Sequence, residues 1–299
     1  MRWVRDYRPK PNDHRLFKIA LIITIAGNIL LAVLKGLVAY FSGSVAVYAD
    51  AANSISDVLY SILMVVGLWV ALRPPDLSHP QGHSRYEPLV GLMVAFSMAF
   101  AGYEAGRTAV ERFLEGGLAV EPGLPTLVLV FSALLKVGMF YGIKKISQQV
   151  NSPALRTTAQ DNLNDVFTSL AAFIGALGSS LVHPLLDAIA GILVALWIFR
   201  SAFNATREHL NFLTGGGASE ELRLKIMQTA EAVPGVLRVH HLMTDYSGPR
   251  LVVDLHVNVN GDTPLRDSHE ITDQVIAQLQ ALPDVDRVYV HLEPDDWTD

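Results

Sequence analysis

Two pairs of oxygen-bearing side chains lie inside apolar stretches: Asn53 with Asp57, and Asp161 with Asp165. A spacing of four puts both members of a pair on one helical face, so two facing helices would surround one cation with oxygen donors. Polar groups at membrane depth are costly and mark ion or substrate pathways. A lone Asn or Ser there more often caps a helix end or bonds to a neighbouring helix. Two pairs with one spacing, all but Asn53 carboxylates, argue for more than that. Such a cluster repels itself or protonates unless a cation shares it. Asp50, one turn before Asn53, belongs to the same polar run. The chain has no cysteine, so any metal must be held by oxygen or imidazole.

Apolar helices are needed to position these groups. Of 299 residues, 51% are hydrophobic and 17% charged, whereas about a quarter of a soluble domain is charged. Up to residue 206 there are 16 basic and 13 acidic side chains, and from Arg207 onward 7 and 16. Two regions with different solvents follow: a transmembrane domain over 1–206 and a cytoplasmic one over 207–299. Six stretches, roughly 17–41, 45–72, 88–113, 124–146, 159–181 and 184–206, are each long enough to span a bilayer, which takes about 20 residues. Basic residues cluster before the first stretch, at Arg73 and Arg85, at Lys144, Lys145 and Arg156, and at Arg207. By the positive-inside rule both termini are cytoplasmic. The basic segment Met1 to Lys18 has no small-residue cleavage site after a short apolar core and reads as a retained N-terminus. Lys35, Lys136 and Glu104 also fall within the stretches, where snorkelling or local ion pairing is expected of them.

Beyond the sixth stretch the pattern becomes that of a small α+β unit. Ser219 can cap a helix running to about Ala232, with Glu220 and Glu221 in its first turn. Strand-like alternation follows over 236–245 and 250–258, with Ser247-Gly248-Pro249 as the turn between. A second helix fits 265–282 and a last strand 286–292. The order αββαβ predicts a ferredoxin-like sandwich. Gly215-Gly216-Gly217 reads as a flexible hinge before it.

The chain resembles the cation diffusion facilitator family, exporters of divalent metals with six helices and a cytoplasmic ferredoxin-like domain. The likeness covers nearly the whole chain. It is carried by Ser42-Gly43-Ser44, by the run Ala49 to Asp57, by Asp161 to Asp165, and by the loop Asp76 to Pro88 with its His79, Gly82, His83, Arg85 and Glu87. The resemblance implies a transport site of two residues from the second helix and two from the fifth, here Asn53, Asp57, Asp161 and Asp165. Zinc-transporting members usually carry Asp or His where Asn53 stands and His where Asp161 stands. The all-oxygen set resembles the manganese-exporting branch, and it also suits a harder ion than Zn²⁺, for which imidazole is a preferred ligand.

The resemblance further implies a loop site of Asp76, His79 and His83, whose alternative is a solvated loop with His83 and Glu87 in local hydrogen bonds. It implies a regulatory site in a dimerising C-terminal domain, built from His240, His256, His269 and His291 with Glu293, for which ordinary surface histidines are the alternative. The expected activity is Mn²⁺ efflux at the plasma membrane by a homodimer in lipid, with protons competing for the same carboxylates. Zn²⁺ or Fe²⁺ export is the alternative within the family, and a membrane metal sensor the alternative outside it. No ATP is expected, since Gly215 to Gly217 lacks the Lys-Ser/Thr of a phosphate loop. No nucleic-acid partner is expected either. A membrane metalloenzyme would need a His-Glu-x-x-His pattern or a nucleophile–base pair, and neither is found.

Overall fold

The computed structural model describes residues 3–4, 11–42, 45–117, 124–282 and 285–296, leaving out the side chains of 11–13, 42, 45–50, 52–53, 124–127, 176–177 and 180. Gly43, Ser44, residues 1–2 and 5–10 of the basic N-terminal segment and the side chains of Asp50 and Asn53 therefore lie outside the described residues. The chain divides into two units, Met1–His209 and Leu210–Asp299.

The first unit is built from α1 (Pro11–Ser42), α2 (Val45–Ala71), α3 (Tyr86–Leu114), α4 (Leu124–Val150), α5 (Pro153–Leu181) and most of α6 (Leu185–Leu213). The last helix runs beyond the expected end at residue 206. Over their described residues α1, α2, α3 and α6 are long and apolar enough to cross a membrane. The other two have charged residues within their length, Lys136, Lys144 and Lys145 in α4 and Arg156, Asp161 and Asp165 in α5. Large apolar side chains such as Ile22, Leu37, Leu59, Phe100 and Leu196 point outward. That surface would be a liability in water and is the expected one for helices solvated by lipid.

Inside, Ala20, Leu68, Val90, Ile143 and Leu155 join α1 to α5 in one packed cluster. Small residues set the helix spacing. A Cβ on Gly67 would meet Val90 Cγ2 at 2.1 Å, and one on Gly91 would meet His209 Cε1 at 2.0 Å. The fully buried His209 ring fills that notch, with its Nε2 2.8 Å from Thr157 Oγ1, and so ties α3, α5 and α6 at one level.

The start of α5 matters most for the site. Ser152 is its N-cap, accepting a hydrogen bond from Leu155 N, and Pro153 supplies the first helical residue. The Ser152 hydroxyl in turn donates to Glu87 Oε1, a buried carboxylate in the first turn of α3. The register that places Asp161 and Asp165 is thus pinned from two helices.

The second unit contains α7 (Glu220–Glu231), β1 (Arg238–Ser247), β2 (Arg250–Val259), α8 (Leu265–Gln280) and β3 (Val285–Pro294). This is the αββαβ order expected. Ser219 caps α7 by accepting from Leu222 N. The sheet order is β1-β2-β3, with β1 antiparallel and β3 parallel to the central β2. Leu251, Val253, Leu255 and Val257 alternate along β2 and are wholly buried with Ile226 of α7 and Val275 and Leu279 of α8. Because strand side chains alternate, His256 necessarily projects from the opposite face of the sheet.

The glycine triplet is a helix stop and not a free hinge. Gly215 has φ +71°, Gly216 N bonds to Asn211 O, and Gly216 O accepts from Tyr246 N. The left-handed Gly215 followed by that bond is the Schellman ending, which needs glycine because a Cβ disfavours this conformation.

Candidate metal sites

Within the helical unit, Asp57 of α2 and Asp165 of α5 converge on a side chain from a third helix. Lys136 of α4 is buried, with its Nζ 2.6 Å from Asp165 Oδ2 and 3.5 Å from Asp57 Oδ2. The nearer pair is at contact distance but out of line for a hydrogen bond, which leaves Asp165 Oδ2 without a formal partner. Asn28 of α1 completes the cluster, its Oδ1 3.1 Å from Lys136 Nζ and its Nδ2 donating to Ser61 Oγ at 2.7 Å. Ser61 donates back to the Asp57 backbone carbonyl at 2.6 Å.

Asp161 lines a cavity of about 20 Å³ together with Asp57, Asn28, Thr24, Ser61 and Asn162. That is room for a water or a bare cation. The structure thus gathers Asp57, Asp161 and Asp165 at one level of the bundle, and the side chain of Asn53 lies outside the described residues.

In the connection between α2 and α3, Asp76, His79 and His83 bring one ligand-type atom each to within 4.8 Å of one another. Asp76 Oδ1 accepts from His79 N at 2.7 Å, and Asp76 N donates to His79 O at 3.2 Å, closing a tight turn. Gly82, at φ +95°, then reverses the chain so that His83 Nε2 returns to 3.4 Å from Asp76 Oδ2. The backbone N–H of His79 is the main reason the Asp76 carboxyl titrates below its usual range, and His83 and His79 add to it. His83 is buried, and its Nδ1 has no hydrogen-bond partner. His83 faces Asp76, and Glu87 takes the Ser152 hydroxyl.

The second unit holds a histidine cluster around one buried carboxylate. Glu293 of β3 places Oε1 3.0 Å from His256 Nδ1 and 3.5 Å from His291 Nε2, while its Oε2 lies 3.0 Å from His240 Nε2. That last contact is close but misaligned, so Oε2 has no formal hydrogen bond.

The register explains how His240 reaches this face. Val239 pairs with Val257 and His241 with His256, so His240 is the extra residue of a β-bulge. The bulge turns both histidines toward His256, with ring centroids 5.5 Å (His240) and 4.7 Å (His241) away. Asn258 accepts from Arg238 Nε and lies 2.8 Å from His240 Nδ1, which leaves His240 Nε2 directed at Glu293. His269 does not join. It is exposed on α8 and lies 3.6 Å from Asp273, the next turn of its own helix. Its spacing in sequence carried no information about which side of the sheet α8 covers.

Lys136 and Asn28 adjoin the expected ligands without being singled out by the sequence as part of the site. The ion pairing expected of Lys136 forms, with Asp57 and Asp165 of other helices. The signal for Lys136 is in the sequence, since a lysine halfway along an apolar helix needs an anion within reach. Glu104, by contrast, does form a local ion pair, 3.1 Å from Arg107.

Residues 21–214 match the cation efflux transmembrane domain, and residues 218–295 match the cation efflux protein cytoplasmic domain. The chain belongs to the cation diffusion facilitator family. It is a divalent metal cation efflux transporter and not an enzyme, a multi-pass membrane protein with a cytoplasmic C-terminal domain.

An uncharacterized transporter of Methanocaldococcus jannaschii is 34% identical over 91% of this transporter and 96% of its own length. The manganese efflux system protein MneS of Bacillus subtilis is 27% identical over 91% of this chain and 94% of its own. MneP, a second manganese efflux system protein of that organism, is 29% identical over 93% and 95%.

Proposed function

We propose that this transporter exports Mn²⁺ in exchange for protons through a site formed by Asn53, Asp57, Asp161 and Asp165. The observation that carries the reading is the convergence of Asp57 and Asp165 from two helices on one buried cation, with Asp161 on the adjoining cavity. Carboxylate and amide oxygens suit Mn²⁺, and Zn²⁺ prefers at least one imidazole. The likeness to MneS and MneP points the same way. Protons entering from outside would compete for the same oxygens and release the metal, as adjacent carboxylates allow. Six crossings from a cytoplasmic C-terminal domain return the N-terminus to the cytoplasm. The plasma membrane is the proposed location, and the proposed transport unit is a homodimer joined at least through the C-terminal domains, as the match to the cytoplasmic domain model supports.

Flux into sealed proteoliposomes containing only this protein tests the reading. Mn²⁺ should move faster than Zn²⁺, Fe²⁺ or Co²⁺ and only when a pH gradient is imposed. Flux indifferent to the gradient would remove proton coupling, and faster Zn²⁺ flux would remove the ion assignment.

Asp76, His79 and His83 are a proposed second site and His240, His256, His291 and Glu293 a proposed third, the latter regulatory. For the third, replacing His240, His256 and His291 together with Ala should weaken metal binding at the cytoplasmic domain about tenfold or more, since it leaves Glu293 as the one remaining ligand. Dimer contact should weaken with it, while transport should change only by an allosteric coupling of about 1 to 3 kcal/mol. Calorimetry and sedimentation on the full-length variant would decide, and unchanged metal binding would remove the regulatory site.

A further inference from the structure

The ammonium of Lys136 has more partners than an ion pair requires. It is 4% exposed and meets oxygens from three other helices: Asp165 of α5, Asp57 of α2 and Asn28 of α1. Asn28 is oriented by its own bond to Ser61, so its oxygen is held toward the lysine. A charge is tolerated at this depth only if paired, and one carboxylate would do that. Three oxygens converging on one nitrogen instead make a small coordination shell. Among the described residues, the groups with three ligand-type atoms within 4.8 Å of one another are the loop and the C-terminal cluster, so the intramembrane carboxylates are farther apart than a bound ion would draw them.

We propose that Lys136 is a resident counter-cation, holding in the empty carrier the place that the cargo ion takes and swinging aside when that ion binds. This rests on the reading of Asp57, Asp161 and Asp165 as the cargo site. Lysine suits the role because its charge is a compact point on a flexible stem, able to leave without breaking a bidentate fork. A divalent ion attracts each carboxylate about twice as strongly as the ammonium does at equal distance. It also approaches to about 2.0–2.2 Å where the ligand is a carboxylate, closer than the 2.6 and 3.5 Å of Lys136 Nζ. A free monovalent ion lacks the second charge, and it competes with an ammonium whose tether gives it an effective concentration of roughly millimolar or more. The lysine therefore rejects Na⁺ and K⁺ while yielding to a divalent ion.

Equilibrium binding of Mn²⁺ to the full-length protein tests this, counting only the component that Asp57→Ala removes, together with exchange in proteoliposomes. Lys136→Met and Lys136→Gln should bind Mn²⁺ at least tenfold more tightly, with KM and maximal rate both falling because release slows. Na⁺ should compete with Mn²⁺ in these variants and not in the wild type. Lys136→Arg should bind at least tenfold more weakly, since a guanidinium grips two carboxylates and is harder to displace. A purely structural lysine predicts weaker binding in all three. Unchanged or weaker Mn²⁺ binding in the Met and Gln variants overturns the proposal, and if neither folds, unchanged or tighter binding in the Arg variant does so. Wild-type Mn²⁺ binding that Asp57→Ala leaves intact would instead overturn the cargo site itself.

Discussion

Asp57→Ala should abolish Mn²⁺ flux in proteoliposomes while the protein keeps its size-exclusion profile and helical content. The side chain is small and half-buried, so little packing is lost, and Lys136 keeps Asp165 at 2.6 Å and Asn28 at 3.1 Å. What disappears is one full charge facing the cargo. Truncating one partner of a desolvated charge pair costs about 2 to 5 kcal/mol, and each 1.4 kcal/mol is tenfold, so the fall in affinity should be on the order of a hundredfold or more. Asp165 is a less clean test. Removing it strips Lys136 of its nearest anion, and an uncompensated buried charge destabilises by roughly 3–5 kcal/mol. Lost flux in Asp165→Ala would therefore mix transport with folding. Asp165→Asn, which keeps the shape and an oxygen, is the better partner. Near wild-type flux in both Asp57→Ala and Asp165→Asn would place the cargo elsewhere.

Where the sequence could be read and where it could not follows from the range of the forces involved. The helices and the αββαβ order are local matters of apolar length, alternation and capping, as Ser152-Pro153 and Ser219 illustrate. Four-residue spacing is local too, so Asp161 and Asp165 could be assigned to one face. Which side chain fills the space between α2 and α5 depends on α4, whose rotation around its axis is set by packing, so ion pairing could be expected of Lys136 but its partners on α2 and α5 could not be named. His256 and His291 follow from simple alternation along paired strands. His240 reaches them only through the bulge at Val239/His241, and a one-residue irregularity leaves no periodic trace to read. The glycine triplet misled for a related reason. Composition gives flexibility as the default for three glycines, whereas the hydrogen bonds of Gly216 to Asn211 and Tyr246 convert them into a fixed turn.

Selectivity gives the second large effect. If the all-oxygen set is why Mn²⁺ is preferred, Asp161→His should raise the ratio of Zn²⁺ to Mn²⁺ flux about tenfold or more, by restoring a nitrogen ligand one turn before Asp165. Asp161 borders a cavity of about 20 Å³ that Asp57, Asn28 and Asn162 also line, so the added ring atoms of an imidazole face open space beside the other carboxylates. Losing one negative charge also weakens Mn²⁺ binding in its own right, and Lys136 then stands against two carboxylates instead of three. Asn53→Asp separates these contributions. It adds a carboxylate without a nitrogen, so it should shift affinity and pH dependence more than the ion ratio. Both variants are compared by uptake of each ion at matched protein density. An Asp161→His protein that transports with an unchanged ratio would assign selectivity to the packing around Lys136 and Asn28 or to the Asp76–His83 loop, and not to ligand type.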